Sequence, residues 1–297
     1  MQKIENLSQV LRKAHQGRYA VGSFSPRYTK LILPIIEAAI ETNSPVIVQI
    51  SEKEVYRHEV DLKDFAQEFF RVTQELKPSI PMVLHLDHTK DFEIIKQAIA
   101  QGFTSVMIDA SEYDFDRNVE LSKQIVAYAH PYNVTVEAEL GKIGTTDFAE
   151  TDHDEELYTV PEEAQKFLGL TKADALAVSV GTAHGIYTVR QPKIDYNRLQ
   201  RINELTQVPL VLHGGSGVPS DMVVKAAQME KGGVSKVNIA TDVEQAMLKV
   251  VGKNSFMTEK ELNSYPEEVL SKAREAVKEL VKEKIKNYLL SEGKANH

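Results

Sequence analysis

The sequence predicts a (β/α)8 TIM barrel with an added N-terminal helix and a long C-terminal helical extension. Three observations lead there. Eight short apolar runs recur along the 297 residues, each followed by an amphipathic segment. Most of the runs, such as VIVQI, SVMI and ALAVSV, are near-continuously apolar, as parallel strands covered on both faces are. The length suits one barrel of about 250 residues plus extensions, so residues 1–297 read as one domain. An open doubly wound sheet alternates in the same way and is the rival architecture.

The elements follow in order. An N-terminal helix lies near Leu7–His15. Strands fall at Tyr19–Gly22, Pro45–Ser51, Met82–His88, Ser105–Ser111, Thr135–Gly141, Ala175–Gly181, Pro209–Gly214 and Lys236–Asp242. Helix starts are legible between them. Asp91 caps DFEIIKQAIAQG and Gly102 ends it. Pro161 opens PEEAQKFLGL from a first-turn position, with Glu162 and Glu163 at the positive helix end. The longest piece without periodicity, Lys142–Thr159, is polar and acidic; loops of this length serve as lids or binding loops. From about Pro266 to Leu290, apolar residues at helical spacing among many charges read as a packed surface helix, or as a subunit contact.

Composition removes several function classes. Asp and Glu total 43 against 35 Lys and Arg, a formal net charge of -8. No basic excess exists to neutralise the phosphates of nucleic acid or an anionic membrane. The chain has no Cys, which excludes disulfides, thiolate catalysis and Cys-ligated metal. The N-terminus lacks the apolar core of a signal peptide, and no run reaches the roughly 18 apolar residues of a membrane span. A cytoplasmic protein is expected.

Barrel enzymes keep their active site at the C-terminal strand ends. Here those ends bear Ser51, His85-Leu86-Asp87-His88, Asp109, Glu137-Ala138-Glu139, the stretch Gly181–Gly185 containing His184, His213 to Gly217, and Asn238 to Asp242. Three neutral imidazoles on one rim, His88, His184 and His213, can form a three-coordinate Zn²⁺ site with an open position. His85 lies two residues before Asp87, on the same strand face, and is expected to be structural. His15, His58, His130, His153 and His297 are expected to be solvated. The glycines carry a second signal. HGGSG after the seventh strand and NIATD after the eighth sit where barrels hold a phosphate, because Gly lets backbone N–H groups approach anionic oxygens and Ser216 and Thr241 add hydroxyls.

In this order and spacing, LHLDH, MIDAS, VEAELG, GTAHG, VLHGGSG and KVNIATD resemble the class II, zinc-dependent ketose-bisphosphate aldolases of the fructose- and tagatose-bisphosphate type. The resemblance runs from about Val10 to Asn287. It implies a small-molecule sugar phosphate as substrate and a homodimer or homotetramer. His88, His184 and His213 match the catalytic zinc ligands. Asp87 matches the acid that exchanges a proton at the C4 hydroxyl. Asp109 and Glu139 match acids that hold an alternative metal position in some members. Gly185, Gly214 and Ser216 match the dihydroxyacetone-phosphate site, often with Na⁺ or K⁺, and Asn238 and Thr241 match residues holding the same triose half. Ala240 resembles the tagatose-type pattern.

The chemistry suits these residue types. Breaking C3–C4 of a ketose leaves an enediolate, whose charge a Lewis-acid cation stabilises. A carboxylate near C4 takes the hydroxyl proton and returns it. Condensation needs a second, mobile base, in the family a Glu on the loop after the fifth strand. Here Asp147 falls at that position, one methylene shorter, and Glu150 is a substitute. The aldehyde side departs further: Phe24-Ser25-Pro26-Arg27 follows the first strand, and Ser51 is followed by Glu52 to Arg57. Arg27 and Arg57 could bind an anionic tail with fork geometry, or they are ordinary surface residues.

The expected reaction is cleavage of a ketose 1,6-bisphosphate to dihydroxyacetone phosphate and glyceraldehyde 3-phosphate. Rivals are a related ketose 1-phosphate with another anionic tail, such as 6-deoxy-6-sulfofructose 1-phosphate giving sulfolactaldehyde, and a non-catalytic sugar-phosphate binding barrel. A Schiff-base aldolase would need a rim lysine; Lys236 is expected at the opposite end of its strand.

Overall fold

A computed structural model describes residues 3–145, 157–185, 187 and 191–296. Eight parallel strands close on themselves: β1 (Val21–Phe24), β2 (Val46–Ser51), β3 (Pro81–Thr89), β4 (Ser105–Ile108), β5 (Thr135–Leu140), β6 (Ala175–Val178), β7 (Leu210–Leu212) and β8 (Val234–Ile239). Each pairs with its neighbours in the chain, and β8 pairs with β1 to complete the ring. The closed order rules out the open doubly wound sheet. Two further residues, Lys3–Ile4, extend the sheet at the start of β3.

The barrel interior changes character from one end to the other. At the N-terminal end Val21, Ile47, Val83, Met107, Ala175, Ala177 and Val211 form an apolar plug. The helix Leu7–Gly17 closes this end, with Leu7, Val10, Leu11 and Ala14 turned onto the plug. Asn6 and Gln9 fix its start in a reciprocal capping box. Because strand side chains alternate with period two, the next inward residues are Gln49, His85, Glu137 and Lys236, all buried and polar. Above them come Ser51, Asp87, Glu139 and Asn238.

The larger apolar cluster lies between the strands and the outer helices. The C-terminal extension is helical over Glu267–Glu283 and continues in a wider turn over Lys284–Leu289. It buries Leu270, Ala273, Val277 and Val281. Its end is anchored at the rim: the Tyr288 hydroxyl donates to the Gly215 carbonyl, and Ala20 N–H donates to Leu289 O at 3.0 Å. No helix among the described residues is long and apolar enough to cross a membrane.

Truncating Leu270, which is 2% exposed, removes apolar contact and leaves a cavity. Leu270→Ala is expected to cost about 2–5 kcal/mol. The check is a lower denaturant midpoint with an unchanged slope.

Candidate active site

The rim is built around an irregularity in β3. Successive strand residues point to opposite faces, so Asp87 and His88 could not both face the barrel mouth in a regular strand. The register against β4 shifts between Leu86 and Thr89, and His88 takes a left-handed φ of 30°. This bulge turns both side chains to the rim.

There His88, His184 and His213 converge. His88 Nε2 lies 3.2 Å from His184 Nε2 and 2.6 Å from His213 Nδ1. Carboxylates set which nitrogens face inward. His88 Nδ1 donates to Asp109 at 2.8 Å, and His213 Nε2 donates to Glu137 at 2.9 Å. Each bond leaves the other ring nitrogen as a lone-pair donor toward the centre, as outer-shell carboxylates do for ligating histidines. Nitrogens about 2.0–2.1 Å from one tetrahedral zinc would stand about 3.3 Å apart, so this donor set fits a divalent metal. Glu139 Oε2 is buried without a partner, 3.8 Å from His88 Nδ1 and 3.9 Å from His213 Nδ1. Together with His88 and Asp109 it forms a second donor group sharing one imidazole with the first.

The electrostatics favour positive charge at that centre. Burial works to lower the His88 pKa, but Asp87, Asp109 and Glu139 overcome it and raise it to about 10. Burial and the neighbouring Asp109 push Glu139 up to about 8. Burial, then the charge on His88, lowers His184 and His213.

Asp87 stands beside this centre on its own contacts. Asn238 Nδ2 donates to it at 3.0 and 3.2 Å, and Gln49 Nε2 at 3.1 Å. Burial opposes its ionisation, yet His88, His85 and Lys236 hold it well below the ordinary carboxylate range. A third group of possible donors, His85, Asp87 and Glu137, resembles a metal site in composition. Its cation is already present: Lys236 Nζ is 2.7 Å from Glu137, 3.3 Å from His85 and 3.8 Å from Asp87.

A family model described as fructose-bisphosphate aldolase class II matches residues 5–294. The chain belongs to the class II fructose-bisphosphate aldolase family. It is 39% identical to a fructose-bisphosphate aldolase of Thermus caldophilus, over 93% of this chain and 95% of that one. It is 36% identical to one of Helicobacter pylori (strain J99), over 94% and 96%. Among solved structures, the YdjI aldolase of Escherichia coli K12 aligns with a TM-score of 0.83 at 33% identity, covering 99% of this chain and 100% of that one. Class II aldolases are metal-dependent lyases acting on sugar phosphates.

In this class II aldolase the expected phosphate side is a junction of two loops. Gly215 N–H donates to Asn238 O at 3.1 Å, and Asp242 N–H donates to Ser216 Oγ at 3.1 Å. The helix Thr241–Val251 begins there and aims its N-terminal amides at the rim. Gly214 has φ 66°, and a Cβ on it would stand 2.3 Å from the Ala183 carbonyl. Gly185, with φ 120°, follows His184. Gly144–Thr145 pairs with Ala183–His184, so the start of the acidic loop lies against the strand that bears His184. Asp147, Glu150 and His153 lie outside the described residues, as does His297.

On the aldehyde side, Ser51 Oγ accepts from Glu54 N–H at 3.2 Å, capping the helix Glu52–His58. Arg27 donates through Nε to Glu54 at 2.8 Å and through a terminal nitrogen to Glu244. Arg57 is exposed and stacks over Phe256 at 5.0 Å.

Two expectations are corrected. His58 is not solvated. It is fully buried against Tyr28, with Nδ1 2.9 Å from Met257 O, because its short helix packs onto the 257 segment. Lys236 is not at the far end of β8. The strand begins two residues earlier, at Val234, which places Lys236 at mid-strand facing inward. His15 is half-buried, while His130 is exposed and paired with Asp174. Sequence reasoning placed Glu137 at its strand end without giving it a role, and gave none to Gln49, Glu54 or Glu244. Two of these carried signals: Glu137 shares a strand face with Glu139, and Ser51 to Glu54 is a capping-box pattern.

Glu137 is completely buried. Burial would raise its pKa, but Lys236 and the His213 and His85 imidazoles bring it down to about 2. Lys236→Met therefore strands a buried charge and is expected to cost about 3–5 kcal/mol. In the double variant Lys236→Met/Glu137→Gln the cost should be smaller than the sum of the singles. Denaturant titration of the four proteins checks both statements.

Proposed function

We propose that this protein catalyses reversible, metal-dependent retro-aldol cleavage of a ketose 1-phosphate, breaking C3–C4 to give dihydroxyacetone phosphate and an aldehyde. With phosphate at C6 this is cleavage of fructose or tagatose 1,6-bisphosphate, the aldehyde being glyceraldehyde 3-phosphate; the names of the relatives support that tail. One observation carries the reaction class. Three imidazoles meet beside a carboxylate, Asp87, that makes no contact with the ring nitrogens at their centre and is held instead by Asn238 and Gln49. A site that only stored metal would have no use for a separately held, ionised acid.

Zinc is the ion proposed for His88, His184 and His213, and when bound it would supply Lewis-acid stabilisation of charge at the ketose carbonyl. Asp109 and Glu139 would serve an alternative metal position, sharing His88. Asp87 takes the proton of the C4 hydroxyl as the bond breaks and returns it in condensation. Asn238, bonded to Asp87, orients that carboxylate and keeps a buried Oδ1 without a partner for a substrate hydroxyl. Gly185, Gly214, Ser216 and Thr241 hold the triose phosphate, with Na⁺ or K⁺ as a companion ion. Asp147 moves the C3 proton of the triose.

Chelation should abolish activity, and Zn²⁺ or Co²⁺ should restore it. His184→Ala should bind metal weakly and be inactive. Asp87→Ala should keep its metal, measured by elemental analysis, and lose about 10²–10⁴-fold in cleavage; a loss under tenfold would move the acid elsewhere.

Asp147→Ala should abolish solvent exchange of the C3 proton of dihydroxyacetone phosphate while the triose still binds. Exchange that survives there but is lost in Glu150→Ala would reassign the base to Glu150.

A further inference from the structure

The C-terminal extension reaches the rim behind the glycine loops. Its wide turn, Lys284–Leu289, packs against β1 and the helix Ser220–Ala227. Tyr288 is fully buried there, and burial pushes its phenol far above the ordinary value, so the hydroxyl keeps its proton. It donates that proton to the Gly215 carbonyl, 73 residues away in the chain. One turn earlier, Lys284 Nζ lies 2.8 Å from Asp242 and 4.2 Å from the centre of the Tyr288 ring. The turn is held at both ends. Leu270, Ala273, Val277 and Val281 are buried before it. After it, Ser44 Oγ donates to Ser291 Oγ at 2.9 Å, and the N–H groups of Gly293 and Ala295 donate to Thr42 O and Asn43 O at 2.9 and 3.0 Å.

Tyr288 and Lys284 thus grip the two strand ends expected to hold the triose phosphate. A trans peptide is planar, and its C=O and N–H point in opposite directions. The Gly215 carbonyl and the Ser216 N–H share one such plane. With the carbonyl drawn outward to Tyr288, the Ser216 N–H is turned away from the helical layer, and it donates to no described residue. The amides on either side are already committed: Gly215 N–H to Asn238 O at 3.1 Å, and Gly217 N–H to Asp242 at 3.4 Å. Asp242 is the carboxylate that Lys284 holds, and its own N–H donates to Ser216 Oγ at 3.1 Å. Gly214 and Gly217 take φ of 66° and 75°. Glycines impose little direction of their own, so the aim of the peptides between them is set by contacts from outside the loop.

We infer that Tyr288 is a positioning residue for the triose phosphate: its hydroxyl, braced by Lys284, fixes the peptide between Gly215 and Ser216 so that the Ser216 N–H faces the phosphate. This rests on the aldolase reading and adds to it a residue of the C-terminal extension that acts through the loop and not on the substrate. An amide already aimed needs no reorganisation when the anion arrives. In Tyr288→Phe the ring still fills its place, but the Gly215 carbonyl loses its donor and the peptide is free to turn.

The test measures the Kd of dihydroxyacetone phosphate on the zinc-loaded protein by calorimetry, together with solvent exchange of its C3 proton, which needs no aldehyde. Tyr288→Phe should raise the Kd and the KM for exchange about tenfold. Its kcat for exchange should fall less than about threefold, and its zinc content should not change. Dihydroxyacetone, which lacks the phosphate, should inhibit exchange equally in both proteins. Lys284→Met should raise the Kd in the same direction, by less. Leu270→Ala loosens the same extension elsewhere; it should lower the denaturant midpoint and leave the Kd at the wild-type value, which separates positioning from stability. A Tyr288→Phe Kd within about twofold of wild type overturns the inference, as does an equal rise in Leu270→Ala or an equal loss of dihydroxyacetone inhibition. Should Tyr288→Phe fail to fold, an unchanged Kd in Lys284→Met overturns it. These outcomes in a wild type that exchanges the proton overturn this inference alone; a wild type that neither binds dihydroxyacetone phosphate nor exchanges its proton overturns the aldolase reading as well.

Discussion

The Lys236–Glu137 ion pair, 2.7 Å long and wholly inside the barrel, is the contact on which the rim depends. Either charge alone would be very costly at that depth, and each is tolerable because the other is there. Glu137 spends its second oxygen on His213 Nε2, which turns Nδ1 of that ring toward the other two imidazoles. Lys236 also stands 3.8 Å from Asp87 and helps keep it ionised. One buried pair thus orients a candidate metal ligand and biases the candidate acid.

The pair is possible because the barrel is graded along its axis. The apolar plug and the N-terminal helix seal one end against water, so the polar layer above can be nearly dry and its interactions strong. The two sides of the mouth are then built differently. On the glycine side, backbone is brought close to backbone, as Gly214 against Ala183 requires, and amide donors stand where an anion can reach them. Past β1 and β2, Arg27 and Glu54 meet Glu244 of the helix Thr241–Val251, and these long side chains fill the space.

Much of this was legible in the chain. Every barrel strand overlaps its expected run, because near-continuous apolar segments bounded by turns are a local signal. The motif residues His88, Asp109, Glu139, His184, His213 and Asn238 all come to one rim, since strand ends in a closed parallel barrel share one face. The loop residue Asp147 lies beyond the described structure, and its role stays a proposal.

What the sequence by itself determined was the architecture and the roster of side chains at the mouth, both products of short-range periodicity. Tertiary structure alone decided how those side chains are used. The bulge that brings Asp87 and His88 to the same side depends on the register of β3 against β4. The inward aim of Lys236 depends on where β8 begins, and its partner is 99 residues away. Arg27 reads in the sequence as a cation free to grip an anion; in the fold it is held by Glu54 and by Glu244, 27 and 217 residues distant. The physical reason is the same in each case. Periodicity reports which face a residue occupies, whereas charge, hydrogen bonding and burial are settled by partners that only closure of the barrel brings near.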